Sequence, residues 1–443
     1  MENNSTTKQL KQVLGFGDLL GAAIGTIIGA GIMTLLGATI AMTGRSVPFS
    51  FLIAAGITIC QFLPMILVSG TVRLRGGQYT MVAMLAGNRY AGAFSIIHIF
   101  SQVAIAMYPL AFASYFVSLF GFGNEKVIAL IVLTIFFLLN CFGIDKFAKF
   151  QNVIVAMLIV ALGIFVAFGA GKVAPGYFEP ESFIPNGIPG LFKAGGLLTF
   201  AVAGAYTTVN LSAEAKNPTR DIPLVMIVPT LIVSVLYGVV SVIAAGVLPV
   251  EQVANQNLTV VADVIFPRSL YVFFVVCGAG FAIISTLNAQ FAWASKPIMQ
   301  ACDDGWFPAG LAKLSRWKTP YIILALLYGI AVICIVADLD ISVLGNVFLI
   351  GMSAVNLIIN AFAWKMPTLC PKEWEHSKFK VGPGIVRLFT VLGVVSSLLN
   401  IYLNAISLSP VMLAINIVVI VGAVVFGTLR DKHARVDTSY EEA

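Results

Sequence analysis

Charge is what this sequence has least of. Asp, Glu, Lys and Arg make up 10% of its 443 residues, against about 25% in a soluble domain. So few charges cannot cover a water-facing surface of this size, which excludes a soluble fold. Histidine is scarcer still: His98, His376 and His433 are the whole complement and stand far apart. No H-E-x-x-H, G-x-S-x-G or P-loop occurs, so no metal, hydrolase or nucleotide chemistry is indicated and an enzyme is not expected. The six cysteines (Cys60, Cys141, Cys277, Cys302, Cys334 and Cys370) are scattered, mostly within apolar runs, without paired ligand spacing. Neither a disulfide framework nor a metal site follows from them, and no cofactor is implied. The net charge of +6 is dispersed in loops and forms no basic face, so nucleic acid is not an expected partner. Carboxylates are missing from the interior of every apolar run; Asp18 and Asp340 lie at run ends.

What the chain has instead is apolar length. Hydrophobic residues make up 59%, Phe alone numbers 32, and the mean hydropathy is +0.96. A helix needs about 20 such residues to cross a bilayer core, and twelve runs qualify. They fall at roughly 18–42, 47–72, 92–120, 127–144, 148–170, 191–213, 223–248, 271–300, 320–337, 341–365, 386–407 and 410–429. The expected fold is an all-α polytopic membrane protein with twelve transmembrane helices, embedded in the lipid bilayer. The first run follows a short polar tail with Lys8 and Lys11 and lacks a small-residue cleavage site. It is also too long for a signal segment, so it reads as a retained span. With both termini in the cytoplasm, only Arg45, Lys126, Lys172, Lys193 and Arg268 of the 26 Lys and Arg face outward. That asymmetry follows the positive-inside rule and predicts a multi-pass protein of the cell (inner or plasma) membrane with both ends inside. The chain divides into a tail (1–17), two five-run blocks (18–170 and 191–365), a final pair of runs (386–429) and a second tail (430–443). Oligomeric state leaves no signature in the sequence.

One stretch stands out: Gly25-Thr26-Ile27-Ile28-Gly29-Ala30-Gly31 in the first run. Each glycine weakens a helix by about 1 kcal/mol relative to alanine. An unwound turn at membrane depth leaves amides and carbonyls without partners, which persists only where a cavity, a ligand or a neighbouring helix satisfies them. Two readings fit: a ligand site on bare backbone, or close helix packing through Gly25-x-x-x-Gly29. A second weak point lies in the sixth run, where Gly204 sits among small residues in Phe200-Ala201-Val202-Ala203-Gly204-Ala205-Tyr206. Interrupted helices at matching positions of two five-span halves point to a transporter site built on inverted repeats.

Three blocks carry a family resemblance. They are Ile24 to Ile32; the run Glu214-Ala215-Lys216-Asn217-Pro218-Thr219-Arg220-Asp221-Ile222-Pro223; and Asp304-Gly305-Trp306-Phe307-Pro308 with Thr319-Pro320. In order and spacing the chain resembles the amino acid–polyamine–organocation transporter family over its full length. The resemblance implies a 5+5 inverted-repeat core with discontinuous helices 1 and 6, plus two extra C-terminal helices. It also implies a small-molecule amino acid held at the two breaks. Glu214, Lys216, Asn217, Pro218 and Arg220 then shape an inner gate and do not touch substrate. The same block also reads as a helix end with a Pro stop and a basic cap, which is compatible.

The chemistry of a broken helix agrees with a zwitterion. An inner half ending near Ile27 exposes carbonyls, and an outer half beginning near Gly29 exposes N–H groups at the positive end of a helix dipole. The amides of Gly29, Ala30 and Gly31 are assigned to the α-carboxylate. Carbonyls near Thr26 and Ile27, with those of Phe200, Ala201 and Ala203, are assigned to the α-ammonium.

For selectivity, family members that exchange cations carry a glutamate two positions after the span-6 glycine; here that position is Tyr206. Phe200 remains as the aromatic lid. With no carboxylate to pair a buried cation, exchange of neutral L-amino acids is favoured over a cationic amino acid or polyamine antiporter. Gln290 falls where cation exchangers present a pocket aromatic, and Gln102, Tyr108 and Asn288 are further polar candidates. For His98, Gln102 and Asn288 the competing reading is helix–helix bonding, which also fits Asn356 and Asn360. Many family members carry a lysine in span 5 where this chain has Leu158, which argues against a proton-coupled symporter. Ser285 and Thr286 offer hydroxyls for a sodium ion, or for their own helix backbone.

Overall fold

In hydrocarbon every backbone N–H and C=O has to find a partner within the chain, which leaves helices or closed barrels. This chain forms helices. The structure is a computed structural model that describes residues 14–74, 76–142, 147–212, 214–317, 319–434 and 436. The expected tails therefore lie largely outside the described residues, Lys8 and Lys11 among them. No strand forms among the described residues; the one extended pairing is a single bridge between Leu14 and Ala215.

The first expected run is two helices, α1 (Phe16–Ile27) and α2 (Ala30–Thr43). There follow α3 (Val47–Ser69), a short α4 (Gln78–Ala86), α5 (Asn88–Ser101), α6 (Met107–Phe120), α7 (Glu125–Cys141) and α8 (Phe147–Gly169). The second half contains α9 (Gly187–Val202), α10 (Pro218–Gly246), α11 (Phe281–Asp303), α12 (Tyr321–Val336), α13 (Ile341–Phe362), α14 (Pro383–Ala405) and α15 (Pro410–Arg430). Nine helical stretches among the described residues are long and apolar enough to cross a membrane. One of them, Phe16–Ser69, runs through both of the first two expected runs, whereas α7 and α12 are shorter at 17 and 16 residues. Two other runs are less regular than expected. Between α5 and α6 the chain tightens into 3-10 turns at Gln102–Ala106, and ahead of α11 it widens into a π-helical stretch at Phe274–Gly280.

Local chemistry sets the ends. The Gly15 N–H donates to Asp18 Oδ2 at 2.9 Å, so the carboxylate at the start of α1 caps that helix. Asn124 caps α7 through the N–H groups of Lys126 and Val127. Proline opens α10, α14 and α15, at the position where a missing N–H costs nothing. In packing, α3 lies against α9, α10 and α14; α13 lies against α14; and α15 lies against α5. The contacts are close because small residues face across them: a Cβ on Gly427 would stand 2.0 Å from the Arg89 carbonyl oxygen. The Asp304–Pro308 block locks the N-terminal ends of α4 and α5 to α11 and α15. The Tyr79 hydroxyl donates to Asp304 Oδ2 at 2.6 Å, and the fully buried Trp306 ring fills the space over Gly92 beside Phe426.

At the other end of the bundle, Arg45 is buried between α2 and α3. Its Nη1 donates to the Gly176 carbonyl at 2.9 Å and to Ser182 Oγ at 3.1 Å, and its Nε donates to the Ala245 carbonyl at 3.3 Å. Tyr177 returns a hydrogen bond to the Arg45 carbonyl at 2.7 Å. Burial pushes the Tyr177 phenol up to about 12, with the Arg45 guanidinium pulling the other way. One guanidinium thus fastens the long loop after α8 to the corner of α2 and α3. Arg45→Met is expected to lower stability by about 1–3 kcal/mol, since hydrogen bonds to a charged group are lost and carbonyls are left unpaired. Thermal unfolding of the detergent-solubilised protein checks this, with the half-exposed Lys193→Met as a control that shifts little.

Candidate functional site

Non-helical backbone at membrane depth needs partners, and the join between α1 and α2 has them. Ile28 (φ −79°, ψ 74°) and Gly29 (φ −135°, ψ −137°) leave the helical region between Ile27 and Ala30. The Gly29 N–H donates to the Ile27 carbonyl at 2.9 Å, and the Tyr237 hydroxyl from α10 donates to the same carbonyl at 2.9 Å. Beyond the join, the first N–H groups of α2 have no acceptor inside their own helix and carry the positive end of its dipole. The sequence reading gave the Gly29 amide to a ligand and the Ile27 carbonyl to an ammonium; here each is turned to a protein partner.

The second weak point takes another form. After α9 the chain does not open but tightens into 3-10 turns from Ala203 to Leu211. Gly204 is small because of what faces it: a Cβ there would stand 2.5 Å from the Thr26 carbonyl oxygen. Thr26 Oγ1 donates to the Gly204 carbonyl at 3.1 Å, tying the two segments together. Gly31 is pressed equally closely on Ala201, whose Cα would lie 2.7 Å from an added Cβ, and Gly29 on Thr286 Oγ1, at 2.2 Å. Close packing therefore explains three of these glycines directly.

Between these elements lies a cavity of about 60 Å³, room for a few water molecules. Of the residues singled out in the sequence, Thr26, Ile27, Gly31, Tyr108, Phe200, Ala203, Gly204, Tyr206 and Gln290 line it. No charged side chain is among the described residues of the wall. Ala30 is the first residue of α2, while Gly29 and Ala201 lie in the packing contacts just described. Gln102 stands one layer back: its Nε2 donates to the His98 carbonyl at 2.9 Å, leaving Oε1 to accept from Gln290 Nε2 at 2.9 Å. Gln290 Oε1 in turn accepts from the Tyr108 hydroxyl at 3.4 Å. Asn288 faces away from the cavity and accepts from Asn140 Nδ2 of α7 at 2.8 Å. Two residues of helix turn a side chain by roughly 200°, so Asn288 and Gln290 cannot share a face.

Aromatic rings make up part of the wall. Phe200 sits against Tyr108 and edge-on to Phe348, with centroids 6.4 and 5.3 Å away, while Tyr206 meets Trp293 edge-on at 6.2 Å. Sequence reasoning missed Trp293, Phe348, Thr207 and Gln61. The signal for Trp293 was present in the spacing Thr286, Gln290, Trp293, one face of a helix.

None of Glu214, Lys216, Asn217, Pro218 or Arg220 reaches the cavity. Their segment is instead tied to the residues just before α1 and to α11. The Leu14 N–H donates to the Glu214 carbonyl at 3.0 Å, the Lys216 N–H donates to the Leu14 carbonyl at 2.8 Å, and Lys296 pairs with Glu214 at 3.5 Å. Arg73 Nη2 donates to the Lys216 carbonyl at 3.4 Å. Arg220 approaches Asp221 at 4.0 Å, and Pro218, next to Asn217, starts α10.

Membrane-length helices around a small internal cavity, with one helix broken at its edge, define a polytopic membrane protein. The chain belongs to the amino acid permease family, within the amino acid–polyamine–organocation superfamily: the family's sequence profile matches residues 14–427. The branched-chain amino acid permease BcaP of Bacillus subtilis (strain 168) is 27% identical to it over 87% of this chain and 88% of that protein. Cationic amino acid transporter 2, vacuolar, of Arabidopsis thaliana is 24% identical over 50% of this chain and 36% of that protein. The aspartate-proton symporter of Bacillus subtilis is 32% identical over 27% and 24%. The family and these relatives point to transport rather than to an enzyme.

The two kinds of glycine contact make a prediction. Overpacking costs about 1–3 kcal/mol where the surroundings cannot yield. Gly29→Ala is expected to lose stability and transport, and Thr286→Ala in the same chain to restore both, because the obstacle is a side-chain hydroxyl. Gly204→Ala meets backbone and is expected to resist rescue by any side-chain deletion. Thermal unfolding and uptake in the single and double variants check this.

Proposed function

We propose that the protein is a secondary transporter that exchanges neutral L-amino acids across the cell membrane by alternating access. The observation that carries this is the uncharged cavity beside the N-terminus of α2. A helix N-terminus suits the α-carboxylate. The Gly31 amide, with that of Ala30, holds it in this reading, and the carbonyls around Thr26, Phe200 and Ala203 receive the α-ammonium. A cationic side chain would meet no carboxylate there, and an acidic one no arginine or lysine. The relatives named for cations align over about half of this chain and the one named for aspartate over 27%, whereas the branched-chain permease aligns over 87% of it.

The wider architecture follows in this reading. Adding α7 and α12, and counting α1–α2 and α3 as separate crossings, makes twelve spans with both termini inside. Residues 18–170 and 191–365 are the two inverted five-helix repeats, and 386–429 the extra pair. The Leu14–Glu214–Lys296 contacts form the inner gate, and the Phe200–Tyr108–Phe348 rings the outer one. Exchange needs no coupling ion, which fits Leu158 buried in α8 and Thr286 Oγ1 donating to its own helix at Ala282.

Proteoliposome uptake tests this with labelled alanine, serine, leucine, arginine and putrescine. The panel is run with and without internal amino acid, and under pH and sodium gradients. Neutral amino acids are expected to enter only vesicles loaded with amino acid, independent of either gradient. Movement of the diamine alone overturns the neutral assignment, and accumulation in empty vesicles under a proton gradient overturns exchange.

A further inference from the structure

The cavity has a polar side that the backbone breaks do not account for. It is built where α3, α9, α13 and α14 meet, from Gln61, Thr199, Ser353, Asn356 and Asn400, all buried and all neutral. The orientations of the two key amides follow from what surrounds them. Gln61 Nε2 donates to the Ser396 carbonyl at 3.4 Å, and a carbonyl can only accept. Gln61 Oε1 therefore accepts from Asn356 Nδ2, at 3.3 Å. That leaves Asn356 Oδ1, on a side chain only 5% exposed, without a hydrogen-bond partner among the described residues. The neighbouring Asn400 is already engaged, its Nδ2 donating to Ser353 Oγ at 3.0 Å and to Thr199 Oγ1 at 3.2 Å. Asn360, one turn along α13, also donates through Nδ2, to Ser397 Oγ at 3.1 Å, and also leaves its Oδ1 without a partner among the described residues, but it does not line the cavity.

Asn356 lines the cavity while its Oδ1 is itself covered, so a donor that enters and displaces the side chain slightly gains an unpaired acceptor. We infer that this wall is the side-chain subsite of the transported molecule, and that Asn356 Oδ1 accepts a hydrogen bond from a neutral donor, the carboxamide or hydroxyl of a polar amino acid. This rests on the reading of the protein as an amino acid carrier and narrows it to neutral substrates with a hydrogen-bonding side chain. An aliphatic side chain of the same size would leave the acceptor unpaired, and sites built to bond a polar group discriminate strongly against such isosteres.

Asparagine and leucine have nearly the same shape, so they separate the two cases. In alanine-loaded proteoliposomes of the wild-type protein, labelled asparagine, glutamine and serine are expected to exchange about tenfold or more better than leucine. Asn356→Leu is expected to lower the asparagine-to-leucine ratio by a similar factor. Wild-type protein that exchanges leucine as well as asparagine overturns the subsite, whatever the variant does. So does an Asn356→Leu protein with an unchanged ratio and a normal thermal unfolding profile. Should the variant not fold, the wild-type ratio alone decides. Exchange of no amino acid at all overturns the carrier reading itself, a result distinct from exchange without polar preference.

Discussion

The structure depends on one interruption, the two residues Ile28 and Gly29 that stop α1 and start α2. In water such a kink is cheap; in hydrocarbon its backbone groups each cost several kcal/mol unless met. The chain meets them by folding its second half around the break. Tyr237 from α10 reaches the Ile27 carbonyl, and the 3-10 segment after α9 lies so close to Thr26 that only glycine fits at position 204. Once these contacts are in place, a small hollow beside the N-terminus of α2 is the geometric consequence. The site is thus the space left by the solution to a solvation problem.

Residues of opposite character lie around the cavity and toward the chain's N-terminus. The cavity wall carries tilted and edge-on aromatic rings, Phe200 against Tyr108 and Phe348, which can separate without leaving a charge unpaired. Toward the chain's N-terminus the contacts are polar: main-chain bonds at Leu14 and the Lys296–Glu214 pair, both partners partly exposed. An exposed pair of this kind is weak, as the proposed inner gate requires. A ligand drives the cycle of a carrier only through different affinities for the two closed forms.

Much of this was legible beforehand, for reasons that differ from place to place. Apolar run lengths located the helices because the bilayer imposes them. The glycine triplet located the break between Ile27 and Gly29 because helix propensity is local. Gly204 was legible as a weak point, since the α-helix ends at Val202 just before it, but not its packing: its smallness answers the Thr26 backbone, a contact between residues far apart in sequence. Asn288 and Gln290 were named together although helical phase separates them, and Trp293, on the right face, was passed over. Gln61 and Asn400 were out of reach, since nothing in an isolated span tells which buried amide faces a cavity and which faces a neighbour.

Density for a bound amino acid in a cryo-electron-microscopy map of the protein in lipid nanodiscs tests the account most directly. The account predicts a gap in helical hydrogen bonding between Ile27 and Ala30, with the ligand carboxylate about 3 Å from the first N–H groups of α2. A continuous helix through that stretch, or a ligand bound away from it, would contradict the account.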